Sequence, residues 1–205
     1  GLIVQGTLDG EPVVTSMYGG GRDFRHLENL FGAGAFQARD EDAAALESVL
    51  RERRCFVLPG VAPENRGSGP FPNLAGKIVN RGAFMEDPAR AHALASLCTT
   101  LTALIQIDML KPGPDAPVIL TGGGSRDPHL GRILATLAGR RVFTLRDRHG
   151  APLSETTTLG AALNGKAACL GVHPHEVRPE GLSLKEIEPL PPPLDHAAAE
   201  YQEKW

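Results

Sequence analysis

One stretch of this 205-residue chain decides its fold class, and it reads Val118-Ile119-Leu120-Thr121-Gly122-Gly123-Gly124-Ser125-Arg126-Asp127-Pro128. Its apolar start predicts a buried strand, and Asp127-Pro128 predicts that a helix begins directly after the turn. The three glycines let the backbone approach a flat ring or a phosphate closely, and the helix N-terminus adds amide donors and a partial positive charge. The pattern alone favours a tight turn followed by a helix that Asp127 caps, rather than a nucleotide site, and its spacing matches neither the Walker loop nor the Rossmann fingerprint.

A second glycine turn near the start of the chain repeats this arrangement: Met17-Tyr18-Gly19-Gly20-Gly21-Arg22-Asp23-Phe24. It follows a predicted strand and leads into a predicted helix from Asp23 to Leu30, in which apolar residues recur at helical spacing. Each turn is a weak signal by itself, but two such turns in one chain can converge on one ligand. A third segment, Thr158-Leu159-Gly160-Ala161-Ala162, begins the last core helix, and close packing is the favoured explanation for its small residues.

The order of the predicted elements completes the fold class. Two strands are joined by a turn that contains Asp9-Gly10, a strong hairpin signal, and the later part of the chain alternates strands and helices, which predicts parallel crossovers. The predicted elements are strands at Leu2–Gln5 and Pro12–Met17, a helix capped by Asp40, a strand at Cys55–Leu58, an aperiodic loop at Pro59–Asn73, a long helix from Asp87 to about Leu110, strands at Pro117–Leu120 and Arg141–Leu145, helices at Pro128–Ala138 and Thr158–Leu170, and a tail with a short amphipathic helix ending at Trp205.

Composition and charge narrow the class of protein. Hydrophobic residues make up 41% of the chain, enough for a buried core, and the net charge of −3 gives no electrostatic basis for binding nucleic acid or an anionic membrane. No apolar run approaches the roughly 18 residues of a membrane helix. The three cysteines, Cys55, Cys98 and Cys169, form no CxxC pair, so a reducing, cytoplasmic compartment is expected. A strand at residue 2 with no lead-in predicts a fragment cut near a domain boundary.

In this order, the three glycine-containing segments resemble the C-terminal domain of FGGY carbohydrate kinases. In that family a strand, a Gly-Gly-Gly-Ser-like turn and a helix form the adenosine-binding segment, and a Leu-Gly-Ala-Ala helix follows one crossover later. Thr121–Pro128 and Leu159–Ala162 match these two features, and Gly19–Phe24 is similar to the Gly-Gly-Arg-Glu-Phe segment of fuculokinase- and rhamnulokinase-like members. The resemblance spans Leu2 to about Val177. It implies an α/β fold of the actin-like, ribonuclease H-like type, with a mixed sheet flanked by helices, in a nucleotide-side domain at 1–177 followed by a tail with a short helix at 178–205.

The resemblance also implies nucleotide contacts at the two glycine turns. Gly123 falls where a family glycine lies against the adenine side of the nucleotide, and Asp127 falls where many members have Asn. No position matches the family's catalytic aspartate, which deprotonates the sugar hydroxyl. The implied cofactors are ATP and Mg²⁺, the metal being held mainly by the N-terminal half of the kinase. The candidate nucleotide-binding residues are Gly19, Asp23, Gly122, Gly123, Gly124, Ser125 and Asp127.

The implied function is that of the C-terminal half of an ATP-dependent sugar kinase, which transfers the γ-phosphoryl group to a carbohydrate hydroxyl, with a ketose as the expected substrate. The expected partners are the N-terminal half of the same kinase and the sugar substrate. Neither nucleic acid nor a membrane is expected as a partner, and the sequence leaves open whether the protein forms a homodimer. The half alone is expected to be inactive. An alternative of another class is a non-catalytic nucleotide-binding or scaffolding module of the actin-like superfamily. A Rossmann-type dehydrogenase fragment is disfavoured, because Gly-Gly-Gly-Ser is not G-x-G-x-x-G.

Two further features give weaker signals. His173-Pro174-His175 offers two metal ligands, but no third ligand is near in sequence, so a surface loop is the favoured interpretation. Trp205 is expected to pack or fray at the terminus rather than to stack on a ligand.

Overall fold

The computed structural model describes residues 2–6, 12–16, 18–37, 42–66, 69–71 and 73–205 of the chain. Within these residues, strands and helices follow one another in an α/β order. The strands are β1 (Leu2–Gly6), β2 (Pro12–Ser16), β3 (Phe56–Val57), β4 (Ile78–Val79), β5 (Val118–Leu120), β6 (Val142–Arg146) and β7 (Ser183–Glu186). The helices are α1 (Gly20–Asn29), α2 (Asp42–Glu52), α3 (Arg81–Met85), α4 (Pro88–Leu110), α5 (Leu130–Leu137), α6 (Thr156–Leu170) and α7 (Leu194–Lys204).

Two of the strand pairings are those that the sequence predicts, β1 with β2 and β5 with β6. β1 and β2 form an antiparallel pair, and β3 pairs antiparallel with β4. β5 and β6 are parallel and are connected through α5, which confirms the predicted crossover. β7 adds antiparallel to the other side of β6, so this sheet is mixed. The predicted hairpin turn at Asp9-Gly10, the strand end at Met17 and the helix cap at Asp40 lie outside the described residues.

Helix α4 is the centre of the hydrophobic core. It begins after Asp87, whose carboxylate accepts a hydrogen bond from the amide of Ala89 at 3.0 Å. Leu94, Leu97 and Leu101 are buried, and burial continues around the helix at Ala91 and Ser96. Helices α1, α2 and α5 pack around it. This arrangement fixes the start of α1 and the start of α5 relative to one central helix.

Helix α4 also corrects an expectation about membrane spans. It is 23 residues long, and its length and mean hydropathy would suffice to cross a membrane. The sequence expectation considered uninterrupted apolar runs, which are short in this helix. Half of its most apolar window is buried inside the domain. The hydroxyls of Ser96, Thr100 and Thr102 on this helix donate to backbone carbonyls one turn earlier. Burial on several sides by other helices accounts for its composition.

The C-terminal tail takes part in the same sheet and core. β7 pairs with β6 along Ser183–Glu186, a strand that the sequence pattern did not indicate. The predicted helix at the C-terminus is present as α7, and the hydroxyl of Tyr201 donates to the carbonyl of Cys55 at 2.8 Å. The indole of Trp205 donates to the carbonyl of Val57 at 2.7 Å, so Trp205 packs at the terminus as expected. The tail thus stabilises the domain that precedes it.

Candidate functional site

The two glycine turns of the sequence line one cavity of about 480 Å³. From the first turn come Gly20 and Gly21, at the start of α1, and from the second come Gly123 and Gly124, after β5. The second turn lies at the carboxyl end of a parallel strand, where open α/β folds place their ligands. The other lining residues are Phe24, Arg25, Glu28, Phe36, His92, Thr99, Arg126, Asp127, Pro128 and Leu130. The convergence expected from the sequence therefore occurs.

A second, more open cavity of about 690 Å³ adjoins the first along the start of α1. Both cavities are lined by Gly20, Gly21, Arg25 and Gly123, and Gly19 borders the second one. The first amides of a helix have no acceptor within the helix and carry a partial positive charge. Arg22 and Arg25 add two full positive charges on the same side, against the single carboxylate of Glu64. This end of the cleft therefore has the donors and the charge that an anion such as a phosphate requires.

The three glycines after β5 have different structural roles. Gly122 has φ +73° and ψ −159°, a conformation that is essentially restricted to glycine. Gly123 has no positive φ, and a Cβ added there would have no atom within 4 Å, so its side-chain position opens into space. A Cβ on Gly124 would lie 3.4 Å from Leu130. Gly122 is thus needed by the backbone, whereas Gly123 leaves room for a ligand.

Ser125 contributes to the turn itself. Its hydroxyl donates to the carbonyl of Gly122 at 2.7 Å, and it is absent from the lining of both cavities described above. Residues Gly123–Arg126 form a short 3-10 turn, and α5 begins at Leu130 rather than at the predicted Pro128. The reason is that Asp127 first turns the chain, before regular helical bonding begins.

Asp127 is buried, and its carboxylate oxygens already accept several hydrogen bonds. Oδ1 accepts from the amides of His129 and Leu130, at 2.9 and 2.7 Å, which confirms the predicted capping of α5. Oδ2 accepts from His92 Nε2 at 2.9 Å, and the Ser96 hydroxyl lies within 3.1 Å of both oxygens. Burial raises the pKa of Asp127, but these donors outweigh it and bring the pKa below its usual range. The carboxylate is ionised and engaged, so it holds the turn in place.

Asp23 lies in the first turn of α1 and faces inward rather than into the cleft. Its carboxylate accepts from the Tyr18 hydroxyl, from the amides of Gly60 and Ala62 at 2.6 and 2.8 Å, and from Asn65 Nδ2 at 3.0 Å. Burial, together with the hydrogen bond to Asp23, raises the pKa of Tyr18, so its hydroxyl keeps its proton. Asp23 is therefore the anchor of a loop, and it is absent from the lining of both cavities.

These bonds change the description of the loop at Pro59–Asn73. The sequence predicts it as one aperiodic segment, but Pro63–Asn65 forms a 3-10 turn and Asn65 is buried. Asn65 Nδ2 also donates to the carbonyl of Gly19 at 2.7 Å. A side chain at Gly19 would collide with Asn65, so this glycine is required by the contact with the loop. The loop thus supports the start of α1 from behind.

Several residues of the cavity were not indicated by the sequence. Phe36 stacks on the imidazole of His92, with ring centroids 5.4 Å apart and planes 12° from parallel. Phe24 meets both rings edge-on, at 5.4 and 5.6 Å. Phe24 and Arg25 come shortly after the first glycine turn, so their closeness to this turn in the sequence is a signal that they line the cavity. Phe36 and His92 lie in segments without a motif, so only the tertiary structure brings them to the cavity.

The Leu159–Ala162 segment does not fit its favoured explanation. It lies in the first turns of α6, but Ala161 and Ala162 are exposed, and a Cβ on Gly160 would have no atom within 4 Å. Close packing inside the described chain therefore does not require these small residues. They are absent from the lining of the two cavities above.

Comparison with known proteins agrees with this geometry. Residues 3–171 match the model of the family described as carbohydrate kinase FGGY, C-terminal domain. A carbohydrate kinase from Novosphingobium aromaticivorans is 27% identical, with a TM-score of 0.71 over 99% of this chain and 40% of that one. A xylulose kinase from Rhodospirillum rubrum has a similar fold, with 15% identity and a TM-score of 0.53 over 89% of this chain and 36% of that one. No curated protein matches the chain.

The chain thus spans about 40% of the length of the Novosphingobium kinase. Its mixed sheet flanked by helices is the actin-like, ribonuclease H-like arrangement of the FGGY kinase structures. Because the family match covers most of the sequence, the chain belongs to the FGGY carbohydrate kinase family, as a C-terminal domain.

Proposed function

We propose that this chain is the nucleotide-side half of an ATP-dependent sugar kinase, which transfers the γ-phosphoryl group of ATP to a carbohydrate hydroxyl. The observation that carries the proposal is the convergence of Gly20-Gly21 and Gly123-Gly124 on one cavity. The sizes of ligand pockets run from about 300 to 1,000 Å³, and a cavity of about 480 Å³ is suited to an adenosine. Family membership supports the kinase assignment.

In this proposal the adenosine lies against the second glycine turn. Gly123 and Gly124 present backbone without side chains, so a flat ring can approach them closely. Leu130 and Phe24 give the cavity an apolar wall on which the ring can pack. Asp127 and Ser125 act indirectly by holding the turn, and Asp23 acts indirectly by holding the loop behind α1.

The phosphates would extend toward the start of α1 and its arginines. The amides of Gly20 and Gly21 and the side chains of Arg22 and Arg25 lie on that side of the cleft. Two carboxylates of the first cavity are engaged by the protein: Asp127 as described, and Glu28 Oε1 with the amides of Gly34 and Phe36 at 3.0 and 3.4 Å. These two carboxylates therefore already serve the protein rather than Mg²⁺, and we assign Mg²⁺ mainly to the phosphates and the N-terminal half.

The remaining parts of the reaction are assigned to that N-terminal half. Phosphoryl transfer depends on positioning and on neutralising charge, and it needs a base for the sugar hydroxyl. The carboxylates of the first cavity, Glu28 and Asp127, are engaged by the protein, so we assign the base to the N-terminal half. Exposed apolar side chains on β1 and β2, among them Ile3, Val4 and Val14, fit a surface covered by the other half. We propose a ketose substrate and a cytoplasmic location, the latter because all three thiols are free.

The test is a sugar-dependent phosphorylation assay on the protein that carries this domain together with its N-terminal half. With ATP, Mg²⁺ and a panel of ketoses and aldoses, we expect ADP release that depends on one sugar. The 205-residue chain alone should show no turnover. Absence of activity in the complete protein, with ATP binding retained, would favour the non-catalytic module instead.

A further inference from the structure

Three buried polar side chains converge beside the cavity, each from a different helix. Asp42 is the first residue of α2, His92 lies in α4, and His129 directly precedes α5. Each is at most 4% exposed. One carboxylate oxygen and two imidazole nitrogens lie within 4.8 Å of one another. None of the sequence motifs indicates this cluster.

The imidazole nitrogens of the cluster lack partners on their inner side. His92 Nε2 binds the Asp127 carboxylate at 2.9 Å, and this contact requires a proton on that nitrogen. His92 Nδ1 lies 3.7 Å from Asp42 Oδ2, which is too long for a hydrogen bond. His92 Nδ1 and His129 Nε2 are both fully buried, and neither has a hydrogen-bond partner among the residues that the structure describes. Buried polar atoms left in this way are costly and uncommon in native structures.

We propose that Asp42, His92 and His129 form a binding site for one divalent transition-metal ion of the Zn²⁺ type. Two imidazoles and one carboxylate suit Zn²⁺, Co²⁺ or Ni²⁺ better than Mg²⁺ or Ca²⁺, which prefer oxygen ligands. Ligand bonds of about 2.0–2.1 Å in a tetrahedral site place ligand atoms about 3.3 Å apart. The 3.7 Å between His92 Nδ1 and Asp42 Oδ2 is near this value. The fourth position is left for water or another ligand.

The surroundings match those of known metal-binding histidines. Such histidines usually give their other ring N–H to a carboxylate, and Asp127 accepts this bond from His92. Phe24 and Phe36 cover the His92 ring and limit the access of water. The ion would join the starts of α2 and α5 to α4. Through His92 and Asp127 it would also fix the turn that lines the cavity, although the proposal does not depend on the ligand of that cavity.

A protonated imidazole is the main alternative. A doubly protonated His92 between Asp42 and Asp127 would balance the charges of the two carboxylates. It would leave His129 Nε2 without a partner, and the 3.7 Å separation from Asp42 would still be too long for a hydrogen bond. A metal ion gives both orphaned nitrogens a partner at once.

The experiment is a Co²⁺ titration of metal-free, tag-free protein, followed by visible absorption and by the melting temperature. We expect one Co²⁺ per chain, the intense d–d bands of tetrahedral Co²⁺, no thiolate charge-transfer band, and a higher melting temperature. Loss of an outer partner alone costs about 10–100-fold in affinity, so loss of a direct ligand should cost about a hundredfold or more. His129→Asn and Asp42→Asn should each show this loss while keeping their circular dichroism spectrum.

The matched control is His175→Asn, since His175 is exposed and its ring lies 4.3 Å from that of His173, which gives the surface a competing histidine pair. This variant should keep the affinity of the unmodified protein. The proposal is overturned if the protein binds no Co²⁺ at micromolar concentration. It is equally overturned if His175→Asn abolishes binding while folded His129→Asn and Asp42→Asn leave it unchanged.

Discussion

Replacing Gly123 with valine tests whether the second glycine turn forms the adenosine site. The residue lines the cavity, has no positive φ, and an added Cβ would have no atom within 4 Å. The backbone therefore accepts a side chain there, unlike that of Gly122, whose φ of +73° does not. The valine methyl groups must then extend into open space on the cavity side. The substitution should impair ligand binding and leave the fold intact.

The expected size of the effect follows from the contact area that a ring would lose. If the valine side chain removes about 80 Å² of apolar contact, at about 25 cal/mol per Å², the cost is about 2 kcal/mol. A loss of about 2 kcal/mol corresponds to an increase of about thirtyfold in Kd. The melting temperature should stay the same or rise slightly, because replacing glycine at a compatible position reduces the entropy of the unfolded chain.

The assay is calorimetric titration with ATP of the protein that carries this domain and its N-terminal half. The matched control is Gly113→Val, because Gly113 also has no positive φ and no atom within 4 Å of an added Cβ, but it precedes β5 at the other end of the strand. Gly113→Val should bind ATP normally. Unchanged ATP affinity in a stably folded Gly123→Val protein would mean that the turn is structural and that the nucleotide binds elsewhere.

Two further predictions concern stability. Asp23→Ala removes the carboxylate that accepts from the amides of Gly60 and Ala62, so it should lower the free energy of unfolding, measured by urea denaturation, by about 3 kcal/mol. The control Asp115→Ala, at an exposed residue, should change the free energy of unfolding little. Equal effects of the two substitutions would refute the anchoring role of Asp23. Hydrogen bonds from Arg90 and Ser48 lower the pKa of Glu52 from 4.5 to about 2, so its stabilising effect is complete above pH 4.5 and is lost as the pH falls toward 2. The melting temperature of Glu52→Gln should therefore lie below that of the unmodified protein at pH 7 and approach it on acidification, and a constant difference would contradict this.

The parts of the fold that the sequence predicts are those with local signals. Helix α4 has a capping aspartate and a proline at its first position, so its existence and its start follow from the pattern, whereas its burial on several sides depends on the helices packed around it. β5 and the existence of α5 follow from the glycine turn between them, although α5 begins at Leu130 rather than at Pro128. β7 has no such signal, because Ser183–Glu186 is exposed along its whole length and its pairing with β6 is its main constraint. Edge strands of this kind are specified by tertiary contacts rather than by propensity.

The candidate site shows the same division. The glycines could be found because glycine between a strand and a helix has a recognisable physical purpose. The orientation of the two aspartate side chains could not be predicted from the sequence, because their hydrogen-bond donors are more than 30 residues away. Asp127 is held by Ser96 and His92. Asp23 is held by the amides of Gly60 and Ala62. A sequence shows that a carboxylate follows a glycine turn, but not whether distant donors have already taken up its oxygens.

The most direct measurement of the central claim is a crystal structure of the complete protein with a non-hydrolysable ATP analogue. The adenosine is predicted to lie against Gly123-Gly124, with the phosphates directed toward the first amides of α1 at Gly20 and Gly21. Asp127 should keep its hydrogen bonds to the start of α5 and make no direct contact with the nucleotide. An analogue bound outside the cavity between these two turns, in a protein whose domains are both folded, would contradict the account.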